Sequence, residues 1–254
     1  MKKIINTYVR SIQQLNERNV LLRLSSDIEL PLLQPGQFVE VQVNAPNVFL
    51  RRPISVHFYD AEKNELWILV QVVGKATREI GLLKEGDLLN LVLPLGKPFT
   101  MPKEASQHLL LVGGGVGIAP LLYLGAQLKT KGHKITFLLG GRTKNDLLQL
   151  DEFKKYGDIH VTTEDGSHGE CGFVTQHTIL EKETFDFIYT CGPTPMMQAV
   201  ARYAHEHHIE CEVSLENKMA CGVGACLCCV TDTKEGHKCV CTEGPVFNIK
   251  ELKW

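Results

Sequence analysis

The stretch MACGVGACLCCV, Met219 to Val230, sets four of the chain's nine cysteines within nine positions, and it limits what the chain can fold into more tightly than any other feature. Cysteines this close form a disulfide knot, a zinc clip or a cradle for iron and sulfide. The opening segment MKKIINTYVRSIQQL has no apolar core long enough for a signal peptide, and runs such as ITFLL and HLLLV fall far short of a membrane span. The expected location is therefore the cytoplasm, with no membrane partner. There thiols stay reduced, and clustered cysteines serve more often as metal ligands than as disulfides. A net charge of −2 and an isoelectric point near 6.6 offer no basic face for nucleic acid.

Spacing bears on the two remaining readings. Four residues separate Cys221 from Cys226, and two separate Cys226 from Cys229. Cys-x4-Cys-x2-Cys with a distant fourth cysteine is the plant-type [2Fe–2S] spacing. The fourth ligand is Cys239 or Cys241, both in KCVCTEGPV, with Cys241 preferred. Gly222 and Gly224 let the loop wrap so that backbone N–H groups face the sulfurs, bonds that help set a reduction potential. A zinc site needs two Cys-x2-Cys arms, and only Cys226 with Cys229 supplies one. Cys171, Cys191, Cys211 and Cys228 read as unligated thiols, and His205, His207 and His208 as a solvated helix face.

Two rhythms precede this segment. Over residues 1–100, YVRSIQQLNERNVLLRLSS gives two extended stretches around an Asn-Glu-Arg-Asn turn, and FVEVQVN alternates with period two. LWILVQVVG and GDLLNLVLPLG are further strands, with one helix expected over Thr77–Leu83. Short strands with turns between them predict a small antiparallel barrel. Over 101–216, strands alternate with helical patterns: HLLLV, KITFLLGG, DIHVTT, FDFIYT and IECEVSLE, with helices in PLLYLGAQLKTKG, NDLLQLDEFKKYG, Val174–Glu181 and TPMMQAVARYAHEHH. That alternation predicts a doubly wound, Rossmann-like parallel sheet. Residues 217–254 hold too little apolar sequence to fold without a staple. The expected fold is thus α/β plus β: barrel, Rossmann-like domain, small C-terminal cluster domain.

LLLVGGGVGIAPLLYL places Gly113, Gly114, Gly115 and Gly117 between a strand and a helix, with Pro120 near the first helical position. Ile118 stands where a dinucleotide fingerprint would have its third glycine, so the turn either cradles a phosphate at the helix N-terminus or is a tight connection that binds nothing. Cys191, Gly192 and Pro193 form a second such turn at a strand end, where an open α/β sheet has its ligand crevice. In the barrel, LRRPISVHF sets Arg51 and Arg52 near Ser55, a fork suited to a pyrophosphate or simply a solvated edge. Leu69, Val70 and Gln71 end a strand, and GKAT, with Ala76 and Thr77, opens the short helix as a loop able to present N–H groups to a phosphate.

RRPIS, VGGGVGIAPL, CGPTPMM and ACGVGAC…EGPVF, in that order over nearly the whole chain, resemble the ferredoxin–NADP reductase superfamily. Within it they resemble most the electron-transfer subunits of type B dihydroorotate dehydrogenase. The resemblance implies that Arg52, Pro53, Ile54 and Ser55 form a first FAD contact motif, Leu69, Val70 and Gln71 a second, and Ala76 with Thr77 a third at the pyrophosphate. Gly113 to Pro120 and Cys191 to Pro193 match the region where NAD would lie. Cys221, Cys226, Cys229 and Cys241 match the cluster ligands. Two departures stand out. Ile54 occupies a position where the superfamily places Tyr, and the gap before the last cysteine is much shorter than in plant-type ferredoxins, as if a partner covered part of a truncated cluster domain.

The implied function is a relay. NAD(H) exchanges two electrons with FAD, the cluster passes them singly, and an FMN-containing catalytic subunit exchanges them with dihydroorotate and orotate in pyrimidine biosynthesis, in a complex of two plus two subunits. No general acid, base or nucleophile stands out, so no catalytic residue is expected. The same residues would also serve an FAD/iron–sulfur subunit of a hydrogenase or a ferredoxin:NADP transhydrogenase. From another class, a zinc-stapled nucleotide-binding regulator would be colourless. Arg142 and Lys144 could hold a 2′-phosphate or be solvated loop charges; NAD is the expected dinucleotide.

Overall fold

A computed structural model describes residues 1–254. Six strands close a barrel: β1 (Lys3–Asn16), β2 (Asn19–Ser25), β3 (Phe38–Val41), β4 (Arg52–Asp60), β5 (Glu65–Gln71) and β6 (Leu88–Leu95), in the order β1-β2-β5-β4-β3-β6 with antiparallel neighbours. The β1–β2 turn is held by Asn16, whose Oδ1 accepts from the Arg18 N–H at 3.0 Å and from Asn19 Nδ2 at 2.9 Å. In β6 the leucines at 89, 91, 93 and 95 face inward and the residues between them are half-buried, the period of two that a barrel wall requires. Helix α1 (Lys75–Gly81) starts two residues earlier than the expected Thr77–Leu83. The cause is the Thr77 hydroxyl, which accepts from the Val73 and Gly74 N–H groups at 2.9 and 3.0 Å and so turns the chain into the helix.

Strand β3 departs from its alternation. Period two turns Glu40 away from Val39 and Val41, yet all four residues Phe38–Val41 are buried. The cysteine segment covers the outer face at this point, with Gly222 against the Glu40 side chain.

The second pattern forms a seven-stranded sheet ordered β10-β9-β8-β7-β11-β12-β15. Its parallel strands are β7 (His108–Gly114), β8 (Lys134–Gly141), β9 (Asp158–Thr163), β10 (Glu170–Cys171), β11 (Phe187–Cys191) and β12 (Glu210–Ser214). Helices α2 (Ala119–Thr130), α3 (Leu150–Lys154), α4 (Ile179–Lys182) and α5 (Thr194–Glu206) connect them. The chain runs outward from β7 through β8 and β9, then returns to lay β11 on the other side of β7, so the topological switch falls between β7 and β11. Two expected helices are shorter. NDLLQLDEFKKYG gives a 3-10 turn at Lys144–Asp146 and the five-residue α3, split by Gln149 in the left-handed region at φ +54°. Val174–Glu181 gives a 3-10 turn at Val174–Gln176 and α4, split by extended His177, whose Nδ1 accepts from the Ile179 N–H at 3.0 Å.

The cysteine-rich segment adds a hairpin of β13 (Val230–Thr233) and β14 (Gly236–Cys239), helix α6 (Val240–Glu243) and β15 (Val246–Asn248). Two compact units result: Met1–Pro98 with Glu216–Val246, and Phe99–Leu215 with Phe247–Trp254. The expected breaks after 100 and 216 lie close to these. Within 217–254, the cysteines group by contact with the barrel and the last eight residues with the parallel sheet. No helix is long and apolar enough to cross a membrane.

Candidate cofactor sites

In the barrel unit, the β4–β5 ladder runs from Asp60↔Glu65 to Val56↔Ile68 and stops there. Arg52, Pro53, Ile54 and Ser55 continue along β3, opposite Val41, Glu40, Val39 and Phe38, while Leu69, Val70 and Gln71 continue along β2. The two strands therefore part where both expected flavin motifs lie. Arg52 to Ser55 are half-buried, as is Gln71; Leu69 and Val70 are buried, on opposite faces of β5. Arg51 is not part of a phosphate fork. Its Nη1 donates to the carbonyls of Glu40 and Asn90, and its Nη2 to Gln42 Oε1 and Asn90 Oδ1, tying β3 to β6. Arg52 is braced by its Nη1, which donates to the Leu50 carbonyl at 2.7 Å and to the Arg51 carbonyl at 3.1 Å.

Ala76 and Thr77 lie in the first turn of α1, both buried. The Thr77 hydroxyl accepts twice and donates to the Gly74 carbonyl at 3.1 Å, which fills its capacity. It shapes the loop rather than offering its oxygen to a ligand.

In the parallel-sheet unit, Gly113 and Gly114 end β7, Gly115 and Gly117 lie in a 3-10 turn (Gly115–Ile118), and Pro120 is the second residue of α2. Cys191 ends β11 directly opposite Gly113, and Gly192 and Pro193 lead into α5. Both glycine turns thus stand side by side at the switch point. They touch: a Cβ on Gly117 would lie 2.5 Å from Gly192 Cα and 2.6 Å from the Cys191 carbonyl oxygen. Only glycine admits that approach. Arg142 and Lys144 are exposed on the neighbouring loop, whose backbone is fixed by the Asp165 N–H to the Arg142 carbonyl at 3.2 Å and the Lys144 N–H to Ser167 Oγ at 2.8 Å.

The cysteine segment groups its sulfurs two and two. The Cys221 thiol is held down to about 6, first by the Val223 N–H, at 3.4 Å from Sγ, and then by the backbone and side chain of Cys226 and the backbone of Ala225; burial, second in size only to the Val223 N–H, pushes the other way. The Cys241 thiol, fully buried, is pushed up to about 12 by burial and by its contact with Cys229, while a Gly224 N–H pulls the other way. The Cys241 N–H donates to Cys229 Sγ at 3.4 Å. Cys221 is thus paired with Cys226, and Cys229 with Cys241. Cys239 instead pairs with Val230 across the hairpin and gives its N–H to Glu243 Oε2 at 2.7 Å. No three His, Cys, Asp or Glu side chains converge as a single metal ion would need. Two pairs of thiols rimmed by N–H donors suit a cluster of two irons, each taking two thiolates, better than one tetrahedral ion.

Two contributors were not read from the sequence. Asn217 Nδ2 donates to the Cys229 and Val230 carbonyls at 3.3 and 3.4 Å, anchoring the segment. Glu40 is the other; a lone carboxylate within FVEV was its one visible sign.

The iron–sulfur cluster binding domain of dihydroorotate dehydrogenase B matches residues 216–253, and an oxidoreductase NAD-binding domain matches 111–202. The chain is 37% identical over 238 residues to the dihydroorotate dehydrogenase B (NAD(+)) electron transfer subunit of Shouchella clausii, with 91% of each chain covered. It is 41% identical over 229 residues, 86% of each, to that of Bacillus cereus strain Q1. The chain belongs to this family of electron transfer subunits. It is an oxidoreductase subunit with FAD, a [2Fe–2S] cluster and NAD as cofactors. Its fold is also that of a solved NADH-dependent reduced ferredoxin-NADP oxidoreductase that performs flavin-based electron bifurcation. That likeness has a TM-score of 0.85 and 34% identity, and covers 98% of this chain and 90% of the other.

Proposed function

We propose that this electron transfer subunit relays electrons between NAD(H) and an FMN-containing dihydroorotate dehydrogenase catalytic subunit, in a cytoplasmic complex of two plus two subunits that serves UMP biosynthesis. The supporting observation is that the likeness to the dihydroorotate dehydrogenase B subunits continues through the cysteine segment, the part that makes a flavin reductase into a relay. When bound, FAD accepts electrons as a pair and the [2Fe–2S] cluster passes them one at a time.

The chain's own residues hold and orient these groups. Arg52, Pro53, Ile54 and Ser55, with Leu69, Val70 and Gln71, offer the parted edges of β4 and β5 to the flavin. Ala76 and its loop take the pyrophosphate, with Thr77 as a positioning residue. Gly113, Gly114, Gly115, Gly117 and Pro120, together with Cys191, Gly192 and Pro193, form the dinucleotide crevice. Cys221, Cys226, Cys229 and Cys241 would hold the cluster.

NAD is preferred to NADP, with Arg142 and Lys144 as solvated charges. NADH reduces the flavin much faster than NADPH at equal concentration; comparable rates contradict this. A second reading, a subunit of a ferredoxin:NADP transhydrogenase complex, is favoured by the 34% identity to the bifurcating oxidoreductase.

The test is an anaerobic pull-down of the tagged chain from its native extract, assayed for NADH-dependent orotate reduction. Activity in the complex, lost when this chain is left out, supports the proposal. An NADH-reducible chain that brings down ferredoxin-linked activity and none with orotate overturns it in favour of the second reading.

A further inference from the structure

Glu40 is a carboxylate where the barrel needs none. It lies in β3 opposite Pro53 of β4 and Val92 of β6, and its side chain is 1% exposed. Neither Oε1 nor Oε2 has a hydrogen-bond partner. Burying a carboxyl without a partner costs several kcal/mol, and a leucine would fill the space at no such cost. The two nearest cations do not neutralise it by contact. Arg51 reaches only its backbone carbonyl, at 3.2 Å, and Arg52 is bound to the Leu50 and Arg51 carbonyls. What the carboxyl does face is the cysteine loop: a Cβ on Gly222 would stand 2.7 Å from Glu40 Cγ and 2.9 Å from Oε1. Gly222 holds φ +65° between Cys221 and the N–H groups of Val223, Ala225 and Cys226 that face its sulfur.

We propose that Glu40 is a positioning residue for electron transfer: its buried carboxyl braces the Cys221–Cys226 turn and supplies a negative charge that lowers the reduction potential of the cluster held there. The proposal rests on Cys221, Cys226, Cys229 and Cys241 being the cluster ligands. The physical basis is that a charge in low dielectric opposes the arrival of a further electron nearby. It also lies beside the strand that carries Arg52–Ser55, so the same carboxyl is shared between the flavin edge and the cluster loop. Burial pushes the Glu40 carboxyl up to about 7, with Arg51 and Arg52 drawing it down and Cys221 pushing it up, so the measurement is made above that value, at about pH 8.

The experiment is an EPR-monitored redox titration of the cofactor-loaded chain at that pH, comparing wild type with E40Q, E40M and E40D. At the wild-type midpoint, the ratio of reduced to oxidised cluster rises by roughly threefold or more in both neutral variants, about 28 mV at 59 mV per tenfold for one electron. E40D, which keeps the charge, stays near wild type. Cluster lost from both neutral variants but kept in E40D, with flavin retained throughout, supports the bracing role. Unchanged or lowered midpoints in E40Q and E40M overturn the proposal, as does cluster loss from E40D as well. A wild-type chain with no [2Fe–2S] signal refutes the ligand assignment itself, a different and distinguishable failure.

Discussion

Gly117 and Gly192 meet backbone to backbone, so closely that a single carbon added to Gly117 would stand 2.5 Å from the Gly192 Cα. The contact joins the turns after β7 and β11 and fixes the shape of the crevice at the switch point. Gly117→Ala must push these turns apart. Misplacements of about 1 Å can cost on the order of 10²-fold in rate. Flavin reduction by NADH, followed by stopped-flow, is expected to slow by at least about tenfold on that scale, with flavin and iron content unchanged. An unaltered rate would show that the crevice does not position the dinucleotide.

Thr77 makes the second prediction. Thr77→Val leaves the Val73 and Gly74 N–H groups without their acceptor, at about 1–3 kcal/mol for groups left unpaired. FAD is expected to dissociate more readily, by about tenfold, in a fluorescence release assay, while Thr77→Ser retains wild-type binding. Loss in both variants would point to the methyl group and not the hydroxyl.

The cysteines make the third. Cys241→Ser abolishes cluster assembly, because Cys241 stands against Cys229, whereas Cys239→Ser leaves iron and sulfide content intact. The reverse result would reassign the fourth ligand.

Acid sensitivity is the fourth. Burial lowers the affinity of His108, His133 and His177 for a proton in the folded chain, Lys134 adding to the effect at His108 and Lys131 at His133. His177 must stay neutral to accept the Ile179 N–H. As pH falls through about 6.5, the ordinary histidine range, the unfolded chain binds more protons than the folded one, so stability falls. The melting temperature of the parallel-sheet unit is expected to drop between about pH 7.5 and 5.5 on that basis. A flat profile would contradict it.

The elements with strong local signals were legible in the sequence. The alternation in LLNLVLPL and the glycine turn of GGGVGIAP each state a physical requirement that the fold meets. What the sequence hid was tertiary. FVEV reads as a half-exposed strand because nothing local says that a segment some 180 residues later will cover Glu40. Arg51 looks like half of a phosphate fork until its partners on Asn90 and Gln42 are seen. The short helices at 150–154 and 179–182 were overestimated, because apolar periodicity continues through residues whose backbone turns away. The grouping of the cysteines with the barrel unit, and of the last eight residues with the parallel sheet, has no signature in composition.

The central claim is that electrons pass between a nicotinamide and a [2Fe–2S] cluster through FAD on this one chain. The most direct measurement is an anaerobic titration of the purified, cofactor-loaded chain with NADH, following the flavin band optically and the cluster by EPR. The account predicts that the flavin band bleaches and a reduced [2Fe–2S] signal grows with it, and that Cys241→Ser keeps the first change and loses the second. A flavin that bleaches while a fully loaded cluster stays oxidised, or a colourless chain that binds zinc, would contradict it.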